Sequence, residues 1–88
     1  MKINRIMIRK VENKGSLKAF VDFVIDDCFA VHNAKIIEGK NGLFVAMPSK
    51  KTDNEFRDII HPIKQETREQ IEKAIFEEYN KIGDTDEN

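Results

Sequence analysis

Leu17 to Ile25 constrains this chain more than any other stretch. Leu17, Ala19, Val21, Phe23 and Ile25 alternate with Lys18, Phe20, Asp22 and Val24, and Asp26 continues the second set. Successive side chains leave a strand on opposite sides, so this period of two predicts an extended segment with its first set against a core. Whatever else the chain does, it has to build a sheet around that face.

The flanking residues supply the neighbours. Ile3 to Lys10 reads as a first strand, with Ile6 and Ile8 on one face and Met7 between Arg5 and Arg9 on the other. Ile3 is out of phase with Ile6 and Ile8, which implies a late start or a β-bulge. Asn13-Lys14-Gly15-Ser16 is turn chemistry, with Gly15 free to take positive φ. Asp26-Asp27 marks a tight reversal. Cys28 to Asn33 then forms a third strand that extends to Ile36 and Ile37, with a break near Asn33-Ala34. Glu38-Gly39-Lys40-Asn41-Gly42 is a further turn. Leu43 to Met47 is apolar throughout and stopped by Pro48, the pattern of a strand buried on both faces. A polar loop carrying Lys50 and Lys51 leads to a last strand, Phe56 to His61, stopped by Pro62.

Short connections favour sequential antiparallel neighbours. A helix follows, with Ile71, Ala74, Ile75, Tyr79 and Ile82 on one stripe. Its start lies between Gln65 and Arg68, where Thr67-Arg68-Glu69-Gln70 has the form of a capping box, and Gly83 suits the C′ position. The expected fold is α+β: an antiparallel β-meander of four to five strands followed by a C-terminal helix. One domain covers residues 1–83, and 84–88 form an acidic tail.

At 88 residues the chain is near the size at which one core is barely sufficient. Its single cysteine, Cys28, excludes an internal disulfide and suits a reducing compartment. No apolar leader or membrane span is visible, so a cytoplasmic protein is expected. One helix covers one face of a sheet, yet Phe20, Val24 and one side of Leu43 to Met47 are apolar on the other, and Phe76 lies off the helical stripe. The pattern predicts a homodimer that hides this surface by sheet packing or edge pairing. The alternative is that the chain ends fold over it.

Candidate chemistry is sparse. Cys28 and His32 share a strand face but stand ~13 Å apart at ~3.3 Å per residue, too far for a common metal or a nucleophile–base pair. A buried thiol and partly exposed histidines are expected, with His61 separate from both. Asp53, Glu55 and Asp58 alternate with Lys50, Lys51 and Arg57, which reads as a solvated rim of mixed charge. No phosphate-cradling glycine loop or nucleophile elbow is present. These features predict neither an enzyme, nor a metal site, nor a cofactor.

The charge distribution is more informative than the net charge of -1. Residues 1–64 carry twelve Lys/Arg against eight Asp/Glu, whereas residues 65–88 carry three against eight. Lys50, Lys51 and Arg57 fall at one end of the last hairpin, and Lys64 and Arg68 near the helix start. A lysine pair beside a helix N-terminus suits phosphate, although similar patches occur on surfaces that bind nothing. Arg5, Arg9 and Lys10 make a second basic group.

Gly42-Leu-Phe-Val-Ala-Met-Pro-Ser-Lys-Lys-Thr52 and Phe56-Arg-Asp-Ile-Ile-His-Pro-Ile63 resemble the signature blocks of the stage V sporulation protein G (SpoVG) family of bacteria. Ile8-Arg9-Lys10-Val11, Phe29-Ala30-Val31-His32-Asn33 and Thr67-Arg68 agree as well. The resemblance covers nearly the whole chain except its acidic end. It implies a small cytoplasmic regulator of sporulation and asymmetric septation, dimeric, with a β-rich body and a C-terminal helix. It also implies DNA and RNA binding, with contacts at Lys50, Lys51, Arg57 and Arg68, and division or septation proteins as further partners. The chain departs from the family at the hairpin tip, where Thr52-Asp53-Asn54-Glu55-Phe56 is one residue shorter than the usual Thr-Pro-Asp-Gly-Glu-Phe. It also has Lys64-Gln65 where an Asn or Ser is common.

Overall fold

The computed structural model describes residues 1–11 and 15–86, with side chains through Ile82. Six strands and one helix follow in order: β1 Ile3–Lys10, β2 Leu17–Ile25, β3 Phe29–Gly39, β4 Gly42–Ala46, β5 Ser49–Thr52, β6 Glu55–Asp58 and α1 Gln65–Asp86. β1 to β4 form an antiparallel sheet in sequential order, the expected meander, while β5 and β6 form a separate two-stranded sheet.

The period-two stretch behaves as its pattern requires. Ala19, Val21 and Phe23 of β2 are buried, and Leu17 and Ile25 at its ends are half-buried. Its two neighbours reach the same core only through bulges. In β1 the register with β2 slips between Asn4 and Met7, and Arg5 takes φ 51°. The extra residue returns Ile3 to the side of Ile6 and Ile8, and all three pack against the core. In β3 the slip lies opposite Val21 and Phe23, with Asn33 at φ 65°. It places Val31, Ala34 and Ile36 together in the core although their spacing is three and then two. The strand therefore continues through the break expected at Asn33-Ala34.

Asp26 and Asp27 both take positive φ, and the Cys28 amide donates to the Ile25 carbonyl at 2.9 Å. Ile25 pairs with Phe29, so the reversal is a three-residue loop, Asp26 to Cys28, in which the two aspartates make the turn. Cys28 belongs to this turn and is exposed, not buried in a strand as expected, because the reversal uses one more residue than its aspartates. Of the Asn13–Ser16 turn, Asn13 and Lys14 lie outside the described residues, and Gly15 takes φ 65°.

α1 packs Ile71 and Ile75 into the core, with Phe76 and Tyr79 against its edge. Phe76 thus belongs to the packed face, and the stripe is broader than the sequence suggested. The helix begins at Gln65, the early end of the expected range, with the Arg68 amide donating to the Lys64 carbonyl at 3.2 Å. Thr67 is already inside the first turn and cannot be the cap. The helix also continues through Gly83 to Asp86. The remaining residues of the tail, 87–88, lie outside the described residues.

β4 differs from its expectation. Val45 and, just beyond the strand, Met47 are buried, but Leu43 and Phe44 are exposed, so it is an edge strand covered mainly on one side. It pairs with β3 and not with the segment around Phe56. Helix side chains cover part of its free edge. The fully buried Val45 donates its amide proton to Glu72 Oε2 at 3.2 Å, and its carbonyl accepts from Arg68 Nη1 at 3.4 Å. Residues four apart on a helix stand on one face, so this pair presents a donor and an acceptor much as a neighbouring strand does.

Candidate nucleic-acid interface

Pro48 ends β4, since it has no amide proton to give a ladder. The chain turns away there and builds its own hairpin. Asp53 and Asn54 carry φ 47° and 74°, and Thr52 pairs with Glu55, so the tip is a two-residue turn of positive φ. The shorter tip is thus self-consistent without the proline and glycine common in the family. At the base, the Ile59 amide donates to the Pro48 carbonyl at 2.8 Å.

The lysines therefore sit on a strand, β5, and not in a loop. Register pairs Lys50 with Arg57 and Lys51 with Phe56. Alternation sends Lys50 and Arg57 to one face of the hairpin and Lys51 and Phe56 to the other. Neither lysine forms an ion pair among the described residues, whereas Arg57 Nη2 lies 3.4 Å from Glu55 Oε2 on its own strand. β6 ends at Asp58, earlier than the His61 expected, because the bend at Ile59-Ile60 and Pro62 turn the chain toward α1.

That turn brings together residues distant in sequence. Phe56, Arg57, Asp58, His61 and Arg68 line one open depression of about 530 Å³. Of the four residues singled out from sequence, Arg57 and Arg68 meet here, while Lys50 and Lys51 flank the site on the hairpin. Arg68 is half-buried, held by its bond to the Val45 carbonyl. Phe56 and His61 were not recognised as site residues. Only the register opposite Lys51 marks Phe56, and only the course of residues 59–64 brings His61 to the hairpin.

The second basic group is engaged elsewhere. Arg9 Nη2 lies 3.7 Å from Asp22 Oδ1, donates to Asn33 Oδ1 at 3.2 Å, and its guanidinium stands 5.8 Å from the Phe20 ring centre. Lys10 Nζ stands 5.7 Å from the Tyr79 ring centre. The centre of this network is Asp22, whose carboxylate accepts from the amide of the bulged Asn33 at 2.9 Å and approaches His32 Nδ1 at 3.3 Å. The Asn33 amide does most to hold the Asp22 carboxyl below its ordinary range, and His32 and Arg9 act in the same direction against partial burial. Asp27 is lowered too, first by the Asn4 side-chain amide and then by the Lys2 charge. Both carboxylates serve turns and bulges of the sheet.

Other candidate chemistry is dispersed. His61 Nδ1 lies 3.2 Å from the Pro62 carbonyl, His32 faces Asp22, and Cys28 is in the β2–β3 turn. Among the described residues no three His, Cys, Asp or Glu side chains are grouped to hold a metal. No helix among them is long and apolar enough to cross a membrane.

The SpoVG family model matches residues 1–81. A protein of Caldicellulosiruptor bescii named "Putative septation protein SpoVG" is 53% identical over 83 residues, 93% of this chain and 94% of its own. A protein of the same name from Clostridium perfringens is 54% identical over 87 residues, covering 98% and 97% of the two chains. Another from Caldanaerobacter subterraneus subsp. tengcongensis is 49% identical over 89 residues, covering 100% and 98%. The matched segment contains the meander, the hairpin and most of α1, and the chain belongs to the SpoVG family.

Proposed function

We propose that this protein is a regulator of septation and sporulation in its host that acts in the cytoplasm by binding DNA or RNA as a homodimer, without catalysis. The relatives' name supports the septation role. The observation that carries nucleic-acid binding is the meeting of Arg57 and Arg68 in one open depression, with Lys50 directly across the hairpin from Arg57. Cations on strands and on a packed helix are already positioned, so less side-chain freedom is lost when phosphates bind. Gel shift or fluorescence anisotropy across a salt series tests it. Affinity falls steeply with salt as counterions are released, and Lys50→Glu with Arg57→Glu removes binding while the circular dichroism spectrum stays unchanged. A double variant that binds like the parent across the series overturns this surface.

The homodimer reading rests on apolar side chains left in solvent. Phe29, Ile59 and Ile63 are 70%, 69% and 88% exposed, and a second subunit would take their apolar area out of water. The Arg68 and Glu72 contacts occupy the β4 edge at Val45, so the subunits meet through apolar faces and not through that stretch of edge. Light scattering checks this, and a mass near 10.2 kDa at micromolar concentration overturns it.

The same exposed isoleucines favour a second reading, a protein-interaction module of the division or septation machinery without direct nucleic-acid contact. Capture of a division protein that fails with Ile63→Ser, together with no gel shift at low salt, selects this reading over the first.

A further inference from the structure

Phe56 is the least explained apolar residue of the hairpin. It is 73% exposed and is not among the side chains packed against the core. A phenylalanine there adds nothing to a surface that attracts phosphates by charge alone. Its surroundings point to a different kind of contact. Lys51 stands directly across the ladder, and Arg57, His61 and Arg68 share the depression that Phe56 lines. Asp58 lines it as well, and a carboxylate repels phosphate but accepts a hydrogen bond from the amino group of a base. A flat apolar ring, flanking cations and one acceptor in an open depression match the requirements of an unpaired base with its adjoining phosphates.

We infer that Phe56 is a stacking platform for an unpaired base, so that the Phe56–Arg57–His61–Arg68 depression binds single-stranded nucleic acid in preference to duplex. The inference rests on the nucleic-acid reading above and gives it a substrate class. In a duplex each base face is covered by its neighbours, and Phe56 has nothing to stack on. In a single strand the base lies on the Phe56 ring, Asp58 on the same face meets its edge, Lys51 and Arg68 meet the backbone, and Arg57 reaches the depression from the other face of β6.

The test uses the full chain and a fluorescein-labelled RNA of ~12 nucleotides, within the site sizes of single-strand binders, presented alone and annealed to its complement. Phe56→Ala weakens binding of the single strand by roughly tenfold or more, the range seen when base-stacking aromatics are truncated. It leaves duplex binding unchanged, and it leaves the salt slope unchanged because no phosphate contact is lost. The chain contains no tryptophan, so Phe56→Trp places a unique fluorophore at the site. That variant binds like the parent, and its emission is quenched by the single strand and not by the duplex. If Phe56→Ala binds the single strand as the parent does while the Lys50→Glu, Arg57→Glu variant does not, stacking is wrong and the phosphate surface stands. Equal losses on single strand and duplex also overturn stacking, since they indicate a damaged hairpin. If the parent binds neither the RNA nor a DNA of the same sequence, single-stranded or duplex, at low salt, the nucleic-acid reading falls and stacking with it.

Discussion

The four-stranded sheet and the β5–β6 hairpin are both antiparallel, and each contains a turn with two successive residues of positive φ, Asp26-Asp27 in one and Asp53-Asn54 in the other. They differ in what lies beneath them. β2 places Ala19, Val21 and Phe23 under α1, and bulges in β1 and β3 are retained so that their isoleucines, valine and alanine reach the same core. Every residue of β6 is exposed, and β5 has only its ends half-buried. One region is held by burial and has its polar groups tied to turns and bulges. The other is held by its ladder and its turn, and carries cations and an aromatic ring into solvent. A hairpin is marginal without a core of its own.

The contrast is sharpest for two phenylalanines. Phe23→Ala removes a ring that is 1% exposed and leaves a cavity, which lowers stability by ~3–5 kcal/mol in urea denaturation. In a domain this small that is a large part of the total, on the order of 5–15 kcal/mol. Phe56→Ala changes stability by no more than ~0.5 kcal/mol, as for surface positions generally. A large loss there shows that the hairpin is part of the folded core, and the comparison breaks.

Glu72→Ala leaves the Val45 amide without its acceptor beside a buried side chain and lowers stability by ~1–3 kcal/mol. Faster hydrogen exchange at Val45, with exchange at Ile36 across the ladder unchanged, shows that the helix acts there as a substitute strand. Uniform exchange in parent and variant removes that role.

Asp22→Ala has a smaller effect, ~1 kcal/mol at neutral pH, because the Asn33 amide it serves is reached by solvent. The sign of its pH dependence follows from the shift. The folded-state pKa of Asp22 lies below the ordinary value of ~3.9. Its stabilisation is therefore full above that value and is lost as pH falls from about 4 through the folded pKa. The parent's advantage over Asp22→Ala shrinks over that window and is absent below it. A constant difference between pH 7 and pH 2 shows that the Asp22 charge contributes nothing to the bulge.

How far these features can be read from the residues depends on the same contrast. β1 and β2 have the expected bounds, and the phase slip of Ile3 anticipated the bulge at Arg5, because a buried face leaves its period in the sequence. The hairpin carries no such record. Ser49-Lys50-Lys51-Thr52 has no apolar alternation, and nothing local distinguishes it from a loop. Lys50 and Lys51, neighbours in sequence, stand on opposite faces, while Arg57 and Arg68 share one site.

Burial pattern and turn chemistry by themselves determined the meander, the terminal helix and the class of fold, since both act over a few residues and are written in residue type. The signature blocks determined the family. Only the tertiary structure decided that Pro48 separates β4 from a second sheet, that Arg68 and Glu72 cover the β4 edge, and that the bend after Asp58 carries His61 and Phe56 to Arg68. Those outcomes depend on where a stretch goes after it leaves the core, and no periodicity records a direction in space.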